Sequence, residues 1–217
     1  MPVWTDQERH DLQPIVDAVI DDLGPLEGAR VLVLCSASGE IVQQIAGRTD
    51  RVQVAGLELD EDMLAAASMQ NSRPSVLFEK ALLDRIPFPD EFFDGVVSDF
   101  VVYPTRQATD IGQPEMARVL KHGGVMSITD VIVPTEPPPG ERANLEAIGF
   151  DYLCVATPGD FEGWMRGAGL VDVAVEDLTA LVRPVWERRT HNATLLGSGP
   201  WGLDGGLSYI KVRGRKP

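Results

Sequence analysis

Short apolar runs and helical stripes take turns along this chain from residue 29 to residue 133, and that order limits the fold more than any one motif. "ARVLVLC" (29–35), "VQVAGLE" (52–58), "SVLFEKA" (75–81), "DGVVSDFVVY" (94–103) and "VMSITDVIV" (125–133) read as strands of a buried sheet. Between the first two, "GEIVQQIAGR" (39–48) puts Ile41, Val42, Ile45 and Ala46 on one helical face, with Gly47 as its stop. "DEDMLAAASMQ" (60–70) opens with three acids that suit the positive end of a helix dipole. "QPEMARVLKHGG" (113–124) places Pro114 at the first helical position and Gly123 just past the last. This alternation predicts an α/β fold, a mostly parallel sheet with helices on both faces.

The flanks add to that frame. Residues 5–23 carry a helical stripe of Leu12, Ile15, Val16, Val19, Ile20 and Leu23, with Thr5 or Asp6 as cap and Gly24-Pro25 as terminator. "PTEPPPGER" (134–142) reads as a stiff exit from the fifth strand. After it come a helix over 159–169 capped by Asp160 and two last strands, 170–177 and 206–214. A chain of 217 residues fits one domain.

Charge and cysteine usage remove several functions. A net charge of −14 argues against a nucleic-acid partner, because phosphate binding needs a positive field. Residues 183–217 run the other way, with Arg183, Arg188, Arg189, Lys211, Arg213, Arg215 and Lys216 against Glu187 and Asp204. Such a segment reads as a solvated basic tail, with an anionic partner as the alternative. No apolar run is long enough to insert in a membrane, and the first residues lack the basic and apolar stretches of a signal peptide. Cys35 and Cys154 have no metal or disulfide spacing, so the expectation is a reduced, cytoplasmic setting and no bound metal.

In an open sheet of this kind, ligands sit beyond the carboxyl ends of the strands where strand order reverses. The loop Cys35-Ser36-Ala37-Ser38-Gly39 lies there, followed by a helix start. Glu58 closes the second strand about 20 residues further on, where an acid reaches ribose hydroxyls.

Here the chain resembles the class I S-adenosylmethionine-dependent methyltransferases, in the small-molecule branch with the ubiquinone and menaquinone enzymes. "VAGLELDEDMLAAA", "IPFPDEFFDGVVSDFVVY" and above all "PEMARVLKHGGVMSITDVIVP" carry the resemblance, which covers residues 28–133 well and the remainder loosely. It implies a Rossmann-like doubly wound sheet of seven strands, with "GLSYIKVRGRKP" as an antiparallel seventh strand. The single domain then divides into an N-terminal helical cap (1–27), a cofactor-binding half (28–133) and a substrate lid with the C-terminal strands (134–217).

The resemblance implies S-adenosylmethionine as cofactor and a small molecule as methyl acceptor. The cofactor would meet Cys35, Ser36, Ala37, Gly39, Glu58 at the ribose, Leu59 at the adenine, Leu82, Asp84 and Asp99. Asp99 and Asp130 end the fourth and fifth strands on the reactive edge, where such acids orient a substrate, act as a general base or, less readily without a third ligand, bind a metal; Tyr103 follows on that edge, to pack on Pro104 or, with Asp99, to orient the substrate. The departures are specific: Val33 stands where the family carries an acid, and Cys35 and Ala37 stand where it carries glycine. A Cβ there pushes a ligand outward, and Glu40 is the nearest substitute for the missing acid. These departures motivate an alternative, a methyltransferase-fold protein that binds or regulates without catalysis. Among the histidines, His10 lies on the first helix, His122 in a surface turn and His191 in the variable end. None has the partner of a nucleophilic triad.

Overall fold

The computed structural model describes residues 5–34, 39–98, 106–147, 154–189 and 206–217. Five parallel strands form the expected frame: β1 (Arg30–Leu34), β2 (Gln53–Glu58), β3 (Val76–Lys80), β4 (Phe93–Ser98) and β5 (Leu120–Val133). Two longer strands follow, β7 (Val171–Asp177) and β8 (Ser208–Arg215), with a two-residue β6 (Cys154–Val155) paired to the end of β5. The order across the sheet is β3-β2-β1-β4-β5-β8-β7, and β8 runs antiparallel to both neighbours. The Rossmann-like sheet with an antiparallel final strand is therefore present, and β6 adds an eighth, minimal strand.

Helices cover both faces. Alternate residues of β1 and β5 point to opposite sides, as strand geometry requires. Val31 and Val33 meet Val16, Val19 and Ile20 of α1 (Asp6–Asp22) and Ile41, Val42 and Ile45 of α2 (Glu40–Arg48). Further along the same face, Val131, Val133 and Tyr209 pack with Leu12 and Ile15 of α1 and with Val182, Val185 and Trp186 of α7 (Thr179–Arg189). On the opposite face, Leu32, Leu34, Met126, Ile128 and Ile132 pack with Met116 and Ala117 of α4 (Arg106–Val119) and Phe161 and Met165 of α6 (Pro158–Gly167). Two further helices, α3 (Glu61–Gln70) and α5 (Pro139–Ala147), complete the described set.

Several boundaries differ from the sequence expectation, each for a local reason. Pro114 lies inside α4, not at its start, so the helix begins several residues earlier. Gly123 does not end that helix; α4 stops at Val119 and β5 takes over at Leu120, with Gly123 in the left-handed region donating its N–H to Lys216 O at 2.8 Å. Gly47 does not stop α2, which runs through it to Arg48. The Pro-rich exit is partly helical, because α5 opens with Pro139, a residue suited to the first turn. Asp160 is not the cap of α6: Thr157 is, and Asp160 answers it from the third helical position, accepting from Thr157 N at 2.8 Å. Asp60 likewise stands outside α3 as its cap, accepting from the N–H of Asp62 and Met63. Tyr103 and the rest of the expected fourth strand beyond Ser98 lie outside the described residues.

The basic segment is not a solvated tail. Arg188 binds Asp11 of α1, Arg215 binds Asp172 at 2.7 Å, and Arg183 stands near Glu187 at 3.7 Å. Lys211 is 4% exposed and meets Asp22 of α1 at 2.9 Å and Glu176 at 3.4 Å. Ser127 of β5 donates to the same Asp22 carboxylate at 2.8 Å. Of this segment's cations, Arg188, Lys211 and Arg215 thus pair with acids elsewhere in the chain.

Candidate active site

The carboxyl edge of the sheet gathers the described candidates. The reversal of strand order falls between β1 and β4, where Leu34 and Ser98, the last residues of each strand, stand in register. Of the residues that follow β1, Cys35, Ser36 and Ala37 lie outside the described residues, as do Asp99 and Tyr103 after β4.

Gly39 is buried and caps α2 with φ +82°, the left-handed region that favours glycine. A Cβ there would stand 2.9 Å from Phe78 Cζ and 3.2 Å from Ala67 Cβ, so the position is closed to larger residues by backbone and space together. It also leaves α2 without a side-chain cap, whereas Thr5, Asp60 and Thr157 cap α1, α3 and α6. First-turn N–H groups left without a side-chain partner at the ligand edge suit an anionic group.

Glu58 ends β2, and its Oε1 accepts from the N–H of Leu59 at 2.7 Å and of Asp60 at 3.0 Å. Those amides fix the carboxylate at the strand end. Glu58 is in register with Lys80 at the end of β3, so the next residues of both strands reach the same edge. There Leu59 is 42% exposed and Leu82 is 50% exposed, with Asp84 exposed nearby. Covering one such leucine is worth on the order of 1 kcal/mol.

Glu40 does not take the place of an acid at position 33. Its carboxylate pairs with Arg9 of α1. His10 is exposed on α1, and His122 is exposed with Glu91 3.0 Å away; His191 lies outside the described residues. The loop before β4 is held from α4: Arg118 donates to Ile86 O and Phe88 O, both at 2.9 Å, while Glu115 accepts from Ile86 N at 3.0 Å. Phe88 and Phe93 pack edge to face at 4.9 Å.

Asp130 does not end β5. Three strand residues follow it, and the side chain is buried with its Oδ1 accepting from Val131 N at 2.7 Å. Burial pushes its carboxyl well above the usual range, and the amide contact offsets this only in part. The folded state therefore holds a proton that the unfolded chain gives up near pH 4. Stability from this group is complete below that pH and is lost as pH rises toward its folded value, by at most about 1.4 kcal/mol per unit. Asp130→Asn should flatten that decline: urea midpoints at pH 5 and pH 8 should lie closer together than in the parent, and an unchanged slope would refute the assignment.

Two polar side chains on the α4 face were not legible in the sequence as buried residues. Ser98 and Gln113 are each 1% exposed, and neither Ser98 Oγ nor either polar atom of the Gln113 amide has a hydrogen-bond partner. Gln113 precedes Pro114 in what reads as a helix start, where a polar residue signals nothing. Among the described residues, no group of three His, Cys, Asp or Glu could hold a metal ion, and no helix is long and apolar enough to cross a membrane.

This edge, with its reversal between β1 and β4 and its antiparallel β8, defines a Rossmann-like methyltransferase fold. Residues 31–124 match the methyltransferase domain family. The chain is 30% identical over 179 residues to a ubiquinone/menaquinone biosynthesis C-methyltransferase of Cupriavidus metallidurans, covering 70% of this chain and 72% of that one. It is 27% identical over 197 residues to the 27-O-demethylrifamycin SV methyltransferase of Amycolatopsis mediterranei, covering 85% and 71%. Among solved structures, geranyl diphosphate C-methyltransferase from Streptomyces coelicolor superposes with a TM-score of 0.79 at 18% identity, over 97% of this chain and 83% of that one. Three other relatives are spanned over about half their own length, 44% to 50%. The chain belongs to the class I S-adenosylmethionine-dependent methyltransferases of small molecules, a family whose cofactor is S-adenosylmethionine.

Proposed function

We propose that this chain binds S-adenosylmethionine at the carboxyl edge of β1–β3 and transfers its methyl group to a small-molecule acceptor by in-line displacement. The observation that carries the reading is the trio at the ends of β2 and β3: a carboxylate fixed by two amides, flanked by two exposed leucines. Leu59 and Leu82 offer apolar cover to a flat ring, and Glu58 offers an acceptor to paired hydroxyls. The start of α2 at Gly39 offers N–H groups to the carboxylate of an amino acid. Cys35, Ser36, Ala37, Asp84 and Asp99 are proposed as the remaining cofactor contacts, and Asp99 and Tyr103 as substrate-orienting groups.

When bound, S-adenosylmethionine supplies a methyl group on a sulfonium sulfur. The protein's share of such a reaction is mainly orientation and exclusion of water. A neutral hydroxyl acceptor also needs its proton removed, a task proposed here for Asp99, which follows β4.

Isothermal calorimetry with S-adenosylmethionine, S-adenosylhomocysteine and NAD tests the reading. Heat from the first two and none from NAD is expected. Folded protein that binds neither sulfur compound would sink the proposal.

A further inference from the structure

Two prolines, Pro87 and Pro89, remove N–H donors from the segment between β3 and β4, so no regular ladder can hold it. Its support comes from α4, position by position. Leu83 is buried against the helix: a Cβ on Gly112 would stand 3.5 Å from Leu83 Cβ. Three residues on, Glu115 Oε2 accepts from Ile86 N at 3.0 Å. Three further, Arg118 Nη2 donates to Ile86 O at 2.9 Å, while Nη1 donates to Phe88 O at 2.9 Å and to the Asp90 carboxylate at 2.7 Å. Last, Glu91 N and Phe92 N donate to the carbonyls of Arg118 and Val119 at 3.0 and 2.8 Å.

Gly112, Glu115 and Arg118 recur every three residues and so share one helix face. The two charged residues also fix each other. Arg118 Nε donates to Glu115 Oε1 at 2.7 Å and Nη2 to Oε2 at 2.8 Å, a two-pronged pairing with little freedom. That pairing holds the Glu115 carboxyl below its usual range. The guanidinium thus serves two carbonyls and two carboxylates from one plane, which a lysine ammonium on its flexible stem cannot reproduce.

The supported segment begins at the ligand edge. Leu82, half exposed, and Asp84, exposed, flank the buried Leu83, and the next buried residue is Ile86. Where those two side chains stand is therefore set by anchors on α4. A wall fixed in advance leaves little ordering to the binding step. A carboxylate accepts from an amine on a flat base but not from a carbonyl oxygen in the same place. Such a hydrogen bond weakens steeply with misalignment, so discrimination between the two bases depends on how firmly the wall is held.

We propose that Glu115 and Arg118 are positioning residues for cofactor selection: from α4 they hold Leu82 and Asp84 where the pocket tells an amino-bearing base from an oxo-bearing one. The proposal rests on the methyltransferase reading and extends it to a pair of side chains assigned no contact with the ligand.

The test is calorimetry of the full chain with S-adenosylhomocysteine and with S-inosylhomocysteine, whose base carries a carbonyl in place of the amine. The parent should prefer the adenosyl compound by about tenfold or more. Arg118→Met should cut that preference to about threefold or less, chiefly through weaker binding of the adenosyl compound. Arg118→Lys should recover part of it. Glu115→Gln keeps an acceptor for Ile86 N, loosens the fork and should fall between parent and Arg118→Met; it decides the matter if Arg118→Met folds poorly. A merely structural role lowers the melting midpoint and weakens both compounds alike, leaving their ratio unmoved. An unmoved ratio in the folded variants, or a parent that binds both compounds equally, would overturn the positioning role and leave the methyltransferase reading standing. A folded parent that binds neither compound overturns both.

Discussion

Glu58→Ala is expected to lower S-adenosylmethionine affinity on the order of a hundredfold, the largest single effect on binding in this chain. The estimate follows from charge-assisted hydrogen bonds, worth about 1.5 to 3 kcal/mol each, between a carboxylate and paired hydroxyls. Two amides hold that carboxylate before any ligand arrives, so little ordering is left to the binding step. Glu58→Gln keeps the length and removes the charge, and should fall between the parent and the alanine variant. Calorimetry on each variant checks this, with thermal melts run alongside because the alanine also strips the amides of Leu59 and Asp60 of their acceptor. An affinity that does not move would refute the role.

Asp22→Ala is expected to cost about 3 to 5 kcal/mol of folding stability, the loss seen when one member of a buried ion pair is removed. A domain's whole margin is about 5 to 15 kcal/mol. Lys211 would stay behind nearly sealed from water, its remaining contacts Glu176 at 3.4 Å and Ala18 O at 3.4 Å. Ser127 would lose its acceptor as well. Urea unfolding should show the midpoint falling with little change in slope. The double variant Asp22→Leu/Lys211→Met removes both charges and should be more stable than Asp22→Ala. If the single variant loses less than about 1 kcal/mol, the pair behaves as a surface pair does.

The frame of this fold was legible because it rests on local periodicity. Five apolar runs and the stripes of α1 and α2 announce themselves without reference to anything distant, and the acid at the end of β2 follows from their order. Proline misled in both directions. Pro114 reads as a start but sits inside α4, and Pro184 hides α7, whose residues gave no helical signal although Trp186 packs edge to face on Tyr209. The pairing of Lys211 with Asp22 joins the chain's two ends, and no spacing rule reaches that far. Ser98 and Gln113 were invisible for a related reason: a polar residue in a sequence looks solvated until the packing around it is known.

The placement of β8 has a consequence for how the chain comes together. It is the last of the described strands in sequence, yet it lies between β5 and β7, with hydrogen-bonded neighbours on both sides. As the chain leaves the ribosome, β7 emerges before the strand that ties it to the sheet, so it must wait with an open edge. Pairings this distant in sequence are slow to form and leave strand edges exposed in the interval. Residues 206–217 therefore act as a keystone, and the two strands beyond β5 are expected to join the sheet in a single late step.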